Sequence, residues 1–164
     1  MSKLRAAIGS LVFLVLVPGI VAGLLPRALT GWETRSPSPP LQVAGLVLVV
    51  AGAGVLLHAF ARFVIEGLGT PAPVAPTERL VVGGLYRHVR NPMYLAVGAT
   101  IVGQALVLGR PGLLVYTAVF GVVVGAFVHG YEQPTLAKRY GEQYEAYRRA
   151  VPAWWPRRRP WDGS

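Results

Sequence analysis

The chain has 164 residues, of which 53% are hydrophobic and only 14% are charged, and its net charge is +9. Soluble domains have about a quarter of their residues charged, so this composition excludes an ordinary soluble domain. Cysteine is absent, which excludes a disulfide framework, a thiolate nucleophile and a cysteine metal site. We therefore expect an all-α integral membrane protein with a single membrane domain over residues 1–164.

Four apolar segments are candidates for transmembrane helices. A bilayer core about 30 Å thick needs roughly 20 residues of helix. The segments cover residues 6–25, 41–63, 93–108 and 112–128. The third is short for a full span unless Pro92 occupies its first turn. The sequence "GRPG" between the third and fourth segments predicts a tight hairpin.

An alternative for the first segment is a cleaved signal peptide. Lys3 and Arg5 precede its apolar run, and the small residues Ala22 and Gly23 lie near its end. Cleavage would leave three spans and place the basic termini on opposite sides, so a retained first span is favoured.

The distribution of lysine and arginine predicts the topology. When the spans alternate in direction, thirteen of the 16 Lys and Arg residues fall on one side, and only Arg27, Arg35 and Arg110 fall on the other. Cytoplasmic loops carry the excess of basic residues. Both termini and the 64–92 loop are therefore predicted to be cytoplasmic, in the inner or plasma membrane if the protein is bacterial.

Two cytoplasmic blocks, residues 64–94 and 129–161, hold nearly all the ionisable residues. In the first block, glycines and prolines between Gly67 and Pro76 exclude a regular helix and predict an ordered loop along the membrane surface. Basic residues beside a membrane commonly hold anionic lipid, and that interpretation accounts for Arg87, His88 and Arg90. It leaves the neighbouring Asn-Pro pair and tyrosine unexplained.

The second block predicts one C-terminal amphipathic helix lying at the membrane interface. Large apolar and aromatic residues recur there at steps of three or four. They are Leu136, Tyr140, Tyr144, Tyr147 and Val151. Three tryptophans around "PRRRP" are typical of an aromatic belt over anionic headgroups. They are Trp154, Trp155 and Trp161.

Several polar and small residues lie at membrane depth or at its edge. Glu132 follows the fourth span, where a carboxylate needs either a salt bridge to Arg87 or Arg90 or a ligand. His58 and Gln104 either face a substrate cavity or hydrogen-bond between helices, and hydrogen bonding between helices is favoured. Gly121 and Gly125 form a small-xxx-small pair, which predicts close helix approach within the bundle or in a dimer.

The segment from about residue 60 to 160 resembles a known family. "LVVGGLYRHVRNPMY", a helical hairpin and "YEQPTLAKRYGEQYEAYRRAVPAWWPR" stand in the order found in the isoprenylcysteine carboxyl methyltransferase family, which also resembles the phospholipid methyltransferases. The resemblance implies an enzyme embedded in the membrane that uses S-adenosyl-L-methionine. It also implies a cofactor pocket made by the last helices and the cytoplasmic tail, with a lipophilic substrate admitted from the bilayer.

The resemblance also indicates the site residues. The family's Arg-His-Pro-x-Tyr pattern and its Glu-Glu pair fall on two groups of residues. They are Arg90, Asn91, Pro92 and Tyr94, and then Glu132 and Gln133. Asn91 and Gln133 thus stand where the family has histidine and a second carboxylate, and neither amide can shuttle a proton near neutral pH. A general base, if one is used, is then Glu132 or His88.

The expected roles follow from the charges of the cofactor. Glu132 and Arg90 are the expected catalytic residues, with Glu132 on the cofactor ammonium and Arg90, with His88 or Asn91, on its carboxylate. Tyr94 and Tyr131 are expected to form the pocket wall. The full set expected to bind the cofactor is His88, Arg90, Asn91, Pro92, Tyr94, Tyr131, Glu132 and Gln133. No metal is expected.

The expected function is methyl transfer to a lipophilic acceptor, which is a carboxylate, thiol, amine or hydroxyl, at the cytoplasmic interface. The expected partners are that substrate and membrane lipids, with anionic headgroups at the basic tail, and nucleic acid is not expected. An alternative is a non-catalytic membrane scaffold or lipid-binding protein with a basic interfacial tail. A transporter or channel has too few polar residues at depth to be favoured.

Overall fold

The computed structural model describes residues 3–67 and 77–163, and all regular elements in these two ranges are helical. The part of the first cytoplasmic block from 68 to 76 lies outside the described residues. The seven α-helices are α1 (Lys3–Gly19), α2 (Leu25–Thr30), α3 (Pro39–Arg62), α4 (Pro92–Leu108), α5 (Gly112–Phe127), α6 (Gln133–Tyr140) and α7 (Glu142–Ala150). The described ranges contain no strand, which confirms the all-helical prediction.

The first helical rod is longer than the predicted segment 6–25. A π-helical turn over Ile20–Leu24 joins α1 to α2, so helix continues to Thr30. The turn leaves the carbonyls of Val21 and Ala22 without the donors that an α-helix would give them. Leu25 N–H bonds Ile20 O in place of Val21 O, and Pro26 has no N–H for Ala22 O. Side chains from other helices supply the missing donors. Tyr116 Oη donates to Val21 O at 2.8 Å, and Gln104 Nε2 donates to Ala22 O at 2.6 Å.

Gln104 therefore serves helix packing, which is the favoured of its two predicted roles. Its amide bridges the third and first apolar segments at a point where the backbone needs a donor. Inside a membrane such a carbonyl has no water to bond, so an internal donor is required. The π-helical turn and the polar residues that complete it form one structural unit.

Glycines allow α3 and α4 to pack at very short range. A Cβ atom built on Gly45 would lie 2.6 Å from the carbonyl oxygen of Gly103, and one on Gly52 would lie 2.8 Å from that of Ala96. Gly121 and Gly125, the predicted small-xxx-small pair, have open space around them instead. Among the described residues of one chain, close helix approach therefore occurs at the α3–α4 glycines and not at this pair, for which the dimer alternative stays a prediction.

A tight hairpin joins α4 to α5, and helix continues beyond the end of α5. Gly109 has a left-handed conformation with φ of 63° and ends α4, and Pro92 occupies the first turn of the same helix, as predicted. Helix continues beyond residue 128, where the predicted fourth segment ends. A π-helical turn over Val128–Glu132 carries the helix from α5 into α6, so helix is continuous from Gly112 to Tyr140.

The predicted single amphipathic helix over residues 136–151 is two helices. Gly141, with φ of 54° and ψ of −130°, separates α6 from α7, because a residue with a side chain rarely adopts this conformation. The predicted stripe is nevertheless real, and it packs against the protein's own residues. Tyr144, Tyr147 and Val151 are buried with Leu80 and Trp161, while Leu136 and Tyr140 pack beside them.

Within the described ranges, three helices are long and apolar enough to cross a membrane: Ala7–Thr30, Pro39–Glu66 and Gly112–Tyr140. The α4 helix is apolar but has only 17 residues. Large apolar side chains cover the outside of these helices, with Val122 at 74% and Val50 at 70% exposed. A soluble protein rarely exposes so much apolar surface, so the structure supports an integral membrane protein.

We predict opposite effects of adding one methyl group at two glycines. Gly103→Ala should destabilise the protein by about 1–3 kcal/mol, because its Cβ meets the α3 backbone and cannot be accommodated without movement. Gly121→Ala adds the same group in open space and should leave stability unchanged or slightly higher, since alanine favours helix. Thermal unfolding of the detergent-purified variants measures both effects. Equal midpoints for the two variants would contradict the packing described for α3 and α4.

Candidate functional site

The segment around residues 87–91 is attached to the C-terminal tail by four side chains. Each of these side chains donates a hydrogen bond to a backbone carbonyl between residues 151 and 161. The pairs are Arg87 with Trp161, His88 with Arg157 at 2.9 Å, Arg90 with Val151 at 2.9 Å, and Asn91 with Ala153 at 3.1 Å. We call this set of contacts the tail clamp. It gives the cluster of polar residues a structural role that the sequence did not predict.

Backbone hydrogen bonds reinforce the tail clamp. Arg90 N–H donates to the carbonyl of Pro152, and Arg157 N–H donates to that of His88, each at 2.9 Å. Trp161 N–H donates to the carbonyl of Arg87 at 3.0 Å. Pro152 cannot donate in return, so its carbonyl is its whole contribution to the pairing. The tail runs beside the 87–91 segment as a fixed strap, although neither stretch forms a strand.

Buried aromatic side chains lie beneath the tail clamp. Tyr147 Oη donates to the carbonyl of Tyr86 at 2.7 Å, and the Tyr147 ring lies 5.4 Å from that of Trp161. Trp161 is only 9% exposed, so its predicted place in an aromatic belt at the headgroups was wrong. Trp155, at 81% exposed, is accessible as that prediction requires. Burial raises the pKa of both Tyr144 and Tyr147, which keeps their hydroxyls neutral.

A tyrosine and a carboxylate connect α4 to the π-helical turn after α5. Tyr94 Oη donates to Glu132 Oε2 at 3.0 Å. The structure shows no ion pair to Glu132 among the described residues, so the predicted alternative of a salt bridge to Arg87 or Arg90 was wrong. Arg90 acts on Glu132 only at longer range. The second carboxylate oxygen has no hydrogen-bond or ion-pair partner in the described ranges.

Arg90 lies between the tail and the carboxylate. Its Nε binds the tail carbonyl of Val151, and its Nη1 donates to Tyr144 Oη at 3.2 Å. A guanidinium has five N–H donors in a plane, so these two bonds fix its orientation and leave others for a ligand. Arg90 thus holds the tail in place and presents positive charge to the space opposite Glu132.

A cavity of about 570 Å³ joins these residues to the apolar interior. This volume lies within the usual range for small-molecule sites, about 300–1,000 Å³. Seven of the eight residues expected to bind the cofactor are among those that line it. They are Arg90, Asn91, Pro92, Tyr94, Tyr131, Glu132 and Gln133. His88 is not among the lining residues, because its ring is directed to the tail carbonyl of Arg157.

The rest of the cavity wall is mostly apolar and comes from helices distant in sequence. The first rod contributes Phe13, Val17, Pro18 and Val21, and α5 contributes Phe120, Val123, Val124 and Phe127. Among the described lining residues, Glu132 is the only carboxylate, and Arg90 and Arg139 are the only cations. The cavity is therefore charged at the end near the tail and apolar along its remaining length.

Sequence analysis missed several residues of this cavity. Tyr86, Tyr144 and Tyr147 line it, as do Thr77 and Tyr140. The steps of three and four in the second block identified the three tyrosines of α6 and α7 as one face but assigned that face to lipid. Tyr86 and Thr77 gave no periodic signal, because Tyr86 lies in a 3-10 helix of only four residues and Thr77 lies outside regular structure. His58, a predicted candidate for facing the cavity, is not among its lining residues.

The fold is that of a helical membrane protein, and its cavity suits an amphiphilic ligand. Comparison with protein families gives a match to the phospholipid methyltransferase family over residues 41–143, more than half of the chain. The chain therefore belongs to the phospholipid methyltransferase family. The resemblance to isoprenylcysteine carboxyl methyltransferases is consistent with this membership. A search of curated proteins and of solved structures gives no significant match.

Family membership and the cavity both support the conclusion that the protein is an enzyme. A scaffold needs the apolar helices and the basic tail but has no use for a cavity with opposite charges at one end. Methyltransferase membership thus favours catalysis over the scaffolding alternative. The matched residues 41–143 include most of the residues that line the cavity, with Arg90 and Glu132 among them.

The tail clamp predicts how Asn91 tolerates substitution. Asn91→His keeps an N–H donor for the Ala153 carbonyl and should hold the tail as the wild type does. Asn91→Asp places a carboxylate against that carbonyl in a position only 7% exposed, so the tail should detach more often. We expect trypsin to cleave after Arg157 and Arg158 about tenfold faster in Asn91→Asp, since cleavage requires local opening. Equal cleavage rates in both variants and the wild type would refute the role of Asn91 in the clamp.

Proposed function

We propose that the protein transfers a methyl group from S-adenosyl-L-methionine to a lipophilic acceptor that reaches the cavity from the bilayer. The observation that carries this proposal is a cavity that has Arg90 and Glu132 at one end and an apolar wall along the rest. A charged cofactor and an apolar acceptor need such neighbouring environments. Family membership supplies the reaction type.

The charged end fits the amino-acid part of the cofactor. Its ammonium group needs an anion, and the oxygen of Glu132 that Tyr94 does not bind is available for it. Its carboxylate needs donors in a plane, and Arg90 has N–H groups beyond those bound by Val151 and Tyr144. Arg90 and Glu132 are accordingly the two residues we assign to the catalytic site.

The neighbouring residues have supporting roles in this proposal. Tyr94 orients the Glu132 carboxylate through its hydrogen bond. Tyr131, stacked at 5.3 Å on Phe127, offers an aromatic face to a sulfonium or an adenine ring. Gln133 can hydrogen-bond hydroxyl or adenine groups from the same helical turn. Asn91 and Pro92 shape the wall, with the Asn91 amide bound to the tail.

The bound cofactor would supply a methyl group already activated on a sulfonium. The protein then has to orient the two reactants in line and exclude water, which positioning alone can accelerate strongly. A carboxylate or thiolate acceptor needs no base, whereas an amine or hydroxyl acceptor does. Among the described lining residues, Glu132 is the only carboxylate that could accept a proton, because Asn91 and Gln133 are amides.

We also propose the predicted topology, with four crossings and both termini in the cytoplasm. The 17-residue α4 is about 26 Å long at the usual rise per residue, slightly shorter than an average hydrocarbon core. Thirteen of 16 basic residues then fall on the cytoplasmic side. The charged end of the cavity lies on that side, where a water-soluble cofactor is accessible. The exposed Arg158 and Arg159 would meet anionic headgroups there.

Replacement of the carboxylate tests the assignment of Glu132. Glu132→Gln keeps an oxygen for Tyr94 but removes the charge that would bind the cofactor ammonium. Isothermal titration with S-adenosylhomocysteine should show affinity lowered by about tenfold or more. The control is Glu142→Gln, the same change at an exposed position on α7 outside the cavity lining, which should bind as the wild type does. Equal affinities in the two variants would remove Glu132 from the cofactor site.

The test of Arg90 has to separate ligand binding from tail attachment. Arg90→Ala should lower the affinity for S-adenosylhomocysteine by about tenfold or more, because a carboxylate loses its cation. Arg158→Ala, an exposed tail arginine, is the matched control. Arg87→Ala provides the second comparison, since it removes another contact of the tail clamp and lies outside the cavity lining. A loss in Arg90→Ala no larger than that in Arg87→Ala would assign Arg90 to the tail alone.

A further inference from the structure

Tyr86 is a buried tyrosine whose hydroxyl makes no hydrogen bond within the part of the chain that the structure describes. Its side chain is 5% exposed and is one of the residues that line the cavity. Its ring packs edge-on against Phe63 at 5.7 Å and contacts the apolar cluster with Ala59, Val81 and Met93. The hydroxyl oxygen has no hydrogen-bond partner among the described residues. Since a buried hydroxyl without a partner destabilises a fold, such groups in native proteins call for a functional explanation.

The tyrosines around Tyr86 differ from it in that their hydroxyls are hydrogen-bonded. Each of four neighbours uses its hydroxyl for a bond with a described protein atom. Tyr94 binds Glu132, Tyr140 binds Thr77, Tyr144 binds Arg90, and Tyr147 binds the carbonyl of Tyr86. The backbone of Tyr86 is therefore satisfied while its side-chain oxygen is not. The unused hydroxyl is a donor available to a molecule in the cavity.

The position of Tyr86 indicates which molecule that is. The ring belongs to an apolar cluster contributed by α3, α4 and the loop before residue 87, which suits a hydrocarbon chain. Tyr86 lines the same cavity as Glu132, Tyr94 and Tyr147, and these three groups interact electrostatically with its hydroxyl. Tyr86 thus lies where an apolar chain would meet its polar headgroup. Burial raises the pKa of Tyr86 well above its usual value, so the group is a neutral donor at physiological pH.

We propose that the Tyr86 hydroxyl donates a hydrogen bond to a headgroup oxygen, of a carboxylate or a phosphate, on the lipophilic acceptor. This assignment rests on the proposed function, in which Arg90 and Glu132 already match the charged groups of the cofactor. Tyr86 is then a positioning residue that holds the acceptor headgroup beside the cofactor. It also contributes to specificity, because an acceptor without such an oxygen leaves the hydroxyl unpaired.

Tyr86→Phe removes only the hydroxyl and keeps the packing against Phe63. The matched control is Tyr116→Phe, which makes the same change at a hydroxyl bonded to Val21 O and outside the cavity lining. Tyr86→Phe should leave the Tm unchanged or raise it by about 2–4 °C, whereas Tyr116→Phe should lower the Tm because a carbonyl loses its donor. Thermal unfolding in detergent measures both shifts.

Ligand binding provides the second measurement. Native mass spectrometry with oleate, and separately with lysophosphatidylethanolamine, measures lipid affinity without any need for catalysis. Tyr86→Phe should bind one or both lipids about five- to tenfold more weakly, and Tyr116→Phe should bind as the wild type does. Loss for oleate alone assigns the contact to a carboxylate, and loss for the lysophospholipid alone assigns it to a phosphate. Affinity for S-adenosylhomocysteine should be unchanged.

Several results would overturn the assignment. A lower Tm in Tyr86→Phe means that the hydroxyl already has a protein partner. Weaker binding of S-adenosylhomocysteine with unchanged lipid binding makes Tyr86 a cofactor contact. Unchanged binding of both lipids in Tyr86→Phe, or no binding of either lipid by the wild type, also removes the proposed contact. If the wild type binds the lipids but not S-adenosylhomocysteine, the proposed function fails, and the lipid affinities still decide the role of Tyr86.

Discussion

The hydrogen bonding between the 87–91 segment and the tail carbonyls is the interaction on which the rest of the site depends. It fixes the tail beside the N-terminal end of α4. It therefore places α7 and its tyrosines against the segment that carries Tyr86. Side chains with charge or strong polarity bind neutral backbone carbonyls there. The arrangement leaves the orientation of Arg90 fixed and part of its guanidinium free, which is what a preorganised ligand site requires.

The same logic of supplying a donor where the backbone lacks one recurs inside the apolar helices. Pro26 removes an N–H from the first rod, and Gln104 and Tyr116 bind the carbonyls that would otherwise be unpaired. These bonds attach the first rod to α4 and α5, so its apolar residues form one wall of the cavity. Irregular helical turns at Ile20–Leu24 and Val128–Glu132 are thus both next to the cavity. One provides apolar wall and the other provides Glu132.

Sequence patterns predicted the elements with strong local signals and missed those set by distant contacts. The hairpin at Gly109 and the first-turn Pro92 follow from the conformations of glycine and proline, and both were predicted. The continuation of helix past residue 128 was not predicted, because polar residues at 129–133 look like the end of a span. The break at Gly141 was missed because the apolar period runs through it unchanged. The cavity residues that resembled a family motif were found, whereas Tyr86 became evident only because its hydroxyl has no partner in the described ranges.

Membership of the phospholipid methyltransferase family and the charged end of the cavity lead to one central claim, that this protein transfers methyl groups to a lipophilic acceptor. The most direct measurement uses purified protein in vesicles made from a total lipid extract, with methyl-labelled S-adenosyl-L-methionine, and follows label in the organic phase. We expect labelled lipid that requires the wild-type protein and is suppressed by excess S-adenosylhomocysteine. Protein that binds S-adenosylhomocysteine but leaves the organic phase unlabelled would contradict it.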